Sequence, residues 1–326
     1  MLACVLPLCG VSPQVTGPAL GIGAATNLAS PMTKGTPPAE THIDEDLVRA
    51  LLSRQHPDLT DRSLTFFGEG WDNVMYRLGD ELSVRLPRRQ VVADLIGHEQ
   101  RYLPMLAPDL PLPIPAPVRV GHPDPDVGYP WPWSVLPWLP GEPADLSPPG
   151  AGQGQVLADF LLALHRPAPD DAPHNPGRGV PLADRAAAIN DRIERLGPNI
   201  TERVRRAWRD AVAAPRSNRR SWVHGDLHAA NVLVDDGTFS AVIDWVDICA
   251  GDGATDLAAI WMLLPEPEER RAALDRYQPD DALHRRAIGW AVFFGTILLE
   301  TGLVDNPRYR ALGTAILTRI HHDTSE

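Results

Sequence analysis

Between residues 223 and 244 the chain reads VHGDLHAANVLVDDGTFSAVID, and no other stretch narrows the possible folds as much. Runs of Val, Leu and Ile, the residues of buried strands, enclose a cluster of His, Gly, Asp and Asn. Asp226 and Asn231 share a loop entered from Trp222 and Val223 and left through Val232, Leu233 and Val234, and Asp244 closes the next apolar run. A hairpin returns that run beside the one before it and carries the Asp244 carboxylate close to Asn231. Three oxygen-bearing side chains then converge. The set suits Mg2+, which takes oxygen ligands, keeps several waters and leans on substrate phosphates for the rest of its shell. Asn231 and Asp244 would be the ligands, leaving Asp226 to accept a proton from a substrate hydroxyl. Any one of these residues alone reads as a turn former; their joint spacing reads as a site. His224 and His228 lack the Glu and the helical pattern of a zinc pair.

The rest of the chain can build two lobes around such a site. It has 326 residues, 44% of them apolar and 22% charged, enough to bury a sizeable core. A formal net charge of −12 argues against nucleic acid as a partner and would draw a cationic ligand. Lys34 is the single lysine, so a phosphate contact in the folded body must use Arg, His or backbone N–H groups. Cys4, Cys9 and Cys249 make neither a disulfide framework nor a metal-ligand spacing, which points to the cytoplasm. Residues 1–31 are apolar and rich in Gly and Pro but contain no Lys or Arg, unlike a secretory signal, and have no uninterrupted run for a membrane span. Met32 offers a second start, so residues 1–40 read as a disordered leader or a misassigned start.

Periodicity orders the remainder. THIDEDLVRALLSRQ (41–55) predicts a helix, with Thr41 and Asp44 resembling a capping box. Residues 63–89 predict three short strands joined by Gly-containing turns. A helix follows over 91–103, which Pro104 should end or kink. APVRVG and WSVLPWL predict strands, and PGEPADLSPPGAG a linker. Helical patterns then cover about 152–165, 183–196, 200–214, 254–264, 267–277, 280–303 and 307–321. The fold class is α+β: a small antiparallel-β lobe over 41–139 and a larger, mainly helical lobe over 140–326 that holds one short hairpin.

HGDLHAANVL followed by VIDW resembles the catalytic and metal-binding loops of the aminoglycoside phosphotransferase family, a branch of the bilobal protein-kinase-like fold. The resemblance runs from about residue 60 to 303. It implies Asp226 as base, Asn231 and Asp244 as magnesium ligands, and His224 as a structural member of the loop. GDGATDLA (251–258) extends it, with Asp256 resembling the family's buried acid that hydrogen-bonds the catalytic loop. GEGWDNVMYRLG (68–79) resembles the loop that covers the nucleotide, where Gly68 and Gly70 let backbone N–H groups approach phosphate. On ELSVRLPRR, Arg85 stands where the pattern has its phosphate-binding lysine. An arginine there still pairs with phosphate and with a carboxylate on the next helix, Glu99, although Arg88 and Arg89 lie near enough to replace it. SVLPWLPGE resembles the hinge, whose backbone from Pro137 to Leu139 would meet the nucleotide base while Trp138 packs. These assignments make residues 41–139 a nucleotide-binding lobe and 140–326 a catalytic and substrate-binding lobe.

The implied reaction is Mg2+-dependent transfer of the γ-phosphoryl group of ATP or GTP to a hydroxyl of a small molecule. Acids such as Asp247, Asp252, Glu266, Glu268, Glu269 and Glu300 suggest a polycationic, aminoglycoside-like acceptor and hence antibiotic resistance. Macrolides and other hydroxylated metabolites are the alternatives, and Arg85 raises a further one, a nucleotide-binding pseudokinase. No membrane partner is expected, and the oligomeric state is open.

Overall fold

The computed structural model describes residues 38–70, 73–304 and 306–324; the expected leader lies outside them apart from its last three residues. The first helix, α1 (Glu45–Gln55), starts at Asp44, whose carboxylate accepts the Leu47 N–H at 2.9 Å. The cap is therefore Asp44 and not the expected Thr41. A carboxylate there, followed by Glu45 and Asp46, also answers the positive end of the helix dipole.

Three strands follow, β1 (Leu64–Glu69), β2 (Asn73–Leu78) and β3 (Leu82–Pro87), then α2 (Gln90–Leu106), β4 (Arg119–Gly121) and β5 (Trp133–Pro137). They form one antiparallel sheet in the order β1-β2-β3-β5-β4. Val74, Tyr76 and Leu78 alternate into its core and pair with the buried Leu86, Val84 and Leu82. α2 does not end at Pro104 but runs one residue pair beyond it. So near the C-terminus a proline removes a single ladder hydrogen bond, and the buried Leu103 and Leu106 hold the last turn in place.

The expected linker contributes structure as well. β6 (Glu142–Pro143) lies in it and adds a third strand to the hairpin of β8 (Val232–Asp235) and β9 (Thr238–Val242). Beyond it come α3 (Gln153–Leu164), α4 (Ala186–Leu196), α5 (Glu202–Ala213), β7 (Ser221–Val223), β8 (Val232–Asp235), β9 (Thr238–Val242) and β10 (Cys249–Gly251). The helix expected over 254–264 is two short ones, α6 (Ala254–Leu257) and α7 (Ala259–Leu263), and the chain closes with α8 (Pro267–Tyr277), α9 (Asp281–Val304) and α10 (Pro307–Asp323). β7 pairs with β10, so the larger lobe has a second small sheet besides the expected hairpin.

Buried apolar side chains fall into two clusters, one built on α1 and the five-stranded sheet, the other on the helices from α3 onward. α2 spans both: Ala93 belongs to the first, Tyr102, Leu103 and Leu106 to the second. The core thus divides within α2 as well as after β5. α9 is long and apolar enough to cross a membrane by length and composition, but 67% of its apolar window is buried inside this fold, where it packs against α5, α6 and α10. The reading that fits is a core helix.

Candidate active site

The β8–β9 hairpin sets the geometry. Asp236 and Gly237 both have positive φ, 47° and 75°, the two-residue turn that matches strand twist. A one-residue bulge at Ser240 then shifts the register, so that Val232 lies opposite Val242, and the Ile243 N–H donates to the Asn231 carbonyl at 2.9 Å. Asn231, just before β8, and Asp244, just after β9, are thereby set across one end of the ladder. Asp244 itself has φ 62°, a left-handed conformation that Asp tolerates better than most residues.

The loop before β8 is held from below. Asp256, at the start of the helical pair α6–α7, accepts the His224 N–H at 2.6 Å and the Gly225 N–H at 2.9 Å. The His224 ring packs edge-on against Trp245 at 4.6 Å. Its Nε2 donates to the Ile243 carbonyl at 3.0 Å, while Nδ1 accepts the Asp226 N–H at 3.2 Å. Burial lowers its pKa, which suits this neutral, two-ended role. One imidazole therefore ties the loop to the end of the hairpin.

Asp226 is 1% exposed, and each of its oxygens has a partner. Oδ2 faces Asn231 Nδ2 at 3.3 Å and His228 Nε2 at 3.4 Å; Oδ1 faces an Arg178 nitrogen at 3.5 Å. Burial works to raise its pKa, but His228, Arg178 and His224 prevail and bring it to about 2. The carboxylate stays ionised. Asn231 Nδ2 also donates to the Asp226 carbonyl at 2.9 Å, so Oδ1 is the amide atom that could serve an ion.

Asp244 is held in the opposite electrostatic state. Burial pushes its pKa up to about 7, helped by the charges of Asp226 and Asp247 and opposed by Arg85. Its Oδ2 is buried without a hydrogen-bond partner. An orphaned carboxylate oxygen among like charges is a place where a divalent cation would be stabilised. Together with the Asn231 amide it offers hard oxygen donors, so the residues fit Mg2+. Among the described residues no group of three or more His, Cys, Asp and Glu could hold a metal ion, so an ion here would have to draw the rest of its shell from water and phosphate.

Asp244 and Arg85 both line a cavity of about 370 Å³ between the sheet and the hairpin. Met75 and Leu136 on the sheet side and Leu233 and Ile243 on the hairpin side make its apolar walls, and Pro137, Trp138 and Leu139 form part of its rim. Arg85 is 4% exposed and paired with the buried Glu99 of α2; burial lowers its pKa to about 10, so it remains charged. Arg88 is engaged elsewhere, donating to the Gly70 carbonyl at 2.9 Å and pairing with Glu69 at 2.5 Å. Of the two, Arg85 is the one facing the cavity. Gly68 and Gly70 sit at the β1–β2 tip and are not among its lining residues. Trp138 packs, edge-on to Phe67 at 4.8 Å and beneath the Arg77 guanidinium at 4.3 Å.

Arg178 is the site residue that sequence reasoning missed. It lies 48 positions from Asp226, outside any local pattern. Several of the acids expected to attract a cation have structural partners instead. Asp247 is buried beside Asn175 and Arg178. Asp252 pairs with Arg286 at 2.6 Å, and Glu300 with Arg192 and Arg195, both at 2.8 Å. Glu269 accepts the Gly152 and Gly154 N–H groups at the start of α3, and Glu268 lies 3.6 Å from Arg271.

The sequence model of a phosphotransferase enzyme family matches residues 63–290. Solved structures with the same fold include the GDP and kanamycin complex of APH(2")-IIia, 19% identical, covering 85% of this chain and 98% of that one, with a TM-score of 0.61. Macrolide 2'-phosphotransferase MphH from Brachybacterium faecium is 22% identical, with coverages of 83% and 97% and a TM-score of 0.55. The ADP-bound aminoglycoside phosphotransferase APH(2'')-Ib is 16% identical, with coverages of 85% and 98% and a TM-score of 0.54. No curated protein matches the chain.

Proposed function

This chain belongs to the phosphotransferase enzyme family, and on that premise we propose that it moves the γ-phosphoryl group of ATP or GTP, as the magnesium complex, onto a hydroxyl of a small molecule. The observation that carries the reading is the buried, partnerless Asp244 oxygen beside Arg85 at one end of the cavity. In this reading Asn231 and Asp244 would hold Mg2+, which would supply neutralisation of phosphate charge. Arg85, steadied by Glu99, pairs with nucleotide phosphate through a planar fork. Pro137 to Leu139 meet the edge of the base, and Gly68 and Gly70 cover the phosphates. Asp226 orients the acceptor hydroxyl and takes its proton, on a loop that His224 and Asp256 keep in place. Positioning and charge, with no covalent intermediate, account for the chemistry. Nucleoside triphosphate as co-substrate fits a cytoplasmic enzyme.

For the acceptor we propose an antibiotic of the kinds named for the structural relatives. A polycationic, aminoglycoside-like compound is the expectation from charge. The pairing of Asp247, Asp252 and Glu300 with arginines removes much of that argument and favours a less highly charged acceptor such as a macrolide. A panel with γ-labelled ATP and GTP tests both readings: kanamycin, gentamicin, a macrolide and simple hydroxylated metabolites are offered to the wild type and to Asp226→Asn. Label on at least one acceptor, lost in the variant, supports the assignment. Bound nucleotide with no acceptor labelled would return the protein to the pseudokinase reading.

A further inference from the structure

We propose that Arg178 is a positioning residue of the transfer site, fixing the Asp226 carboxylate through its Oδ1 side while His228 and Asn231 fix Oδ2. The proposal rests on the reading of Asp226 as the base.

Arg178 is 5% exposed and stands between two buried carboxylates, 3.5 Å from Asp226 Oδ1 and 3.8 Å from Asp247 Oδ2. Its guanidinium is backed by aromatic rings, with centroids 5.1 Å away at Phe294 and 5.4 Å away at Phe293, both on α9. The segment that delivers it is locked onto the catalytic loop. Asn175 Oδ1 accepts the Gly177 and Arg178 N–H groups at 2.8 and 3.1 Å, and its Nδ2 donates to Asp247 Oδ1 at 2.7 Å. Gly179 has φ +65°, and a Cβ there would lie 2.9 Å from the Gly251 Cα. The Asp252 N–H donates to the Gly179 carbonyl at 2.8 Å. Backbone and side chain alike are committed to this placement.

Two other buried arginines show what a structural staple looks like in this protein. Arg286 and Arg270 close to 2.6 Å on Asp252 and Asp323, each through two nitrogens. Arg178 instead stands beside two carboxylates, 3.5 Å from Asp226 Oδ1 and 3.8 Å from Asp247 Oδ2. It spans both, where Asp226, Asp244 and Asp247 crowd together. A planar cation held by packing at that distance sets the angle of the Asp226 carboxylate and offsets repulsion from Asp247. A misplacement of about 1 Å at such a group costs on the order of a hundred-fold in rate.

The test measures release of labelled phosphate to water from MgATP, a readout that requires no known acceptor, together with thermal unfolding. Arg178→Met should lower kcat about a hundred-fold with KM for MgATP unchanged. Arg178→Lys, which keeps the charge but cannot span both carboxylates, should fall between Met and wild type with wild-type melting. The double variant Arg178→Met with Asp247→Asn removes a charge of each sign, and it should regain melting temperature but not kcat. A wild-type kcat in Arg178→Lys, or recovery of kcat along with melting in the double variant, overturns the proposal and leaves Arg178 as charge compensation only. Asp226→Asn runs in parallel: if it keeps the wild-type rate, the base reading itself falls and takes this inference with it. If Asp226→Asn is slow and Arg178→Met is not, only the inference falls.

Discussion

Arg85 on β3 and Glu99 on α2 form an ion pair at the wall of the cavity, with relative exposures of 4% and 1%. Two oppositely charged groups so far from water depend on one another, since breaking a buried pair from one side costs about 3–5 kcal/mol. Arg85→Met should therefore lower unfolding stability by roughly that amount and also raise KM for nucleotide. Arg85→Lys keeps a cation for Glu99 and should retain both stability and measurable transfer. Chemical denaturation and nucleotide titration on the two variants check this. Equal stability of Arg85→Met and wild type would show that Glu99 is held by something else.

Asp256 accepts two backbone N–H groups of the loop that carries Asp226. Asp256→Ala leaves both donors buried and unpaired, each worth about 1–3 kcal/mol. The expected result is a large loss of stability and of kcat together. Asp256→Asn keeps one carbonyl acceptor and should be milder in both. Melting curves beside initial rates would separate the two variants.

Asp244 has its pKa raised to about 7, burial being the main cause. A cation must displace the proton, so Mg2+ affinity should climb as pH rises through 7, and binding near that pH should release a proton. The sign for the metal-free protein is opposite. The folded state binds this proton more tightly than the unfolded chain, so the group's contribution is fully present below the ordinary carboxylate range and is lost as pH rises to about 7. Asp226, lowered to about 2, loses its contribution only in stronger acid. Calorimetric Mg2+ titrations in buffers of different ionisation heat measure the released proton, and Asp244→Asn should abolish it.

α9 and α10 cross where glycines allow backbone contact. A Cβ on Gly302 would come within 2.0 Å of the Arg310 nitrogen, and one on Gly313 within 2.4 Å of the Leu299 nitrogen. Neither neighbour is a side chain that can swing away. Gly302→Ala and Gly313→Ala should each cost about 1–3 kcal/mol, the usual penalty of overpacking, with KM for nucleotide unchanged because the crossing lies away from the cavity. Gly97→Ala, where a Cβ meets nothing within 4 Å, should be tolerated.

Much of the site could be read from residue order because its parts are local. Asp226, Asn231 and Asp244 are linked by one loop and one hairpin, and alternation plus an Asp-Gly turn sets how such a unit closes, short of the bulge at Ser240 that shifts its register by one residue. Arg85 and Glu99 are likewise one strand and one helix apart. Arg178 was hidden because its contacts reach across 48 positions to Asp226 and it sits in a segment of Pro, Gly and Asn with no period. β10 escaped notice for a related reason: Cys249, Ala250 and Gly251 carry no strand signature, and only pairing with β7 makes them one. Residue order also did not show that Asp252 and Glu300 are paired with arginines of helices far away in sequence.

The Asp236–Gly237 turn also bears on how this protein could be altered. The hairpin already holds one unpaired residue in the bulge at Ser240; one more added to either arm outside that bulge would turn the side chains beyond it to the other side of the ribbon, swinging the Asp244 carboxylate out of the cleft even with all its neighbours intact. Engineered chains of this kind can vary in length at surface loops between helices. Along this short ribbon they must keep count.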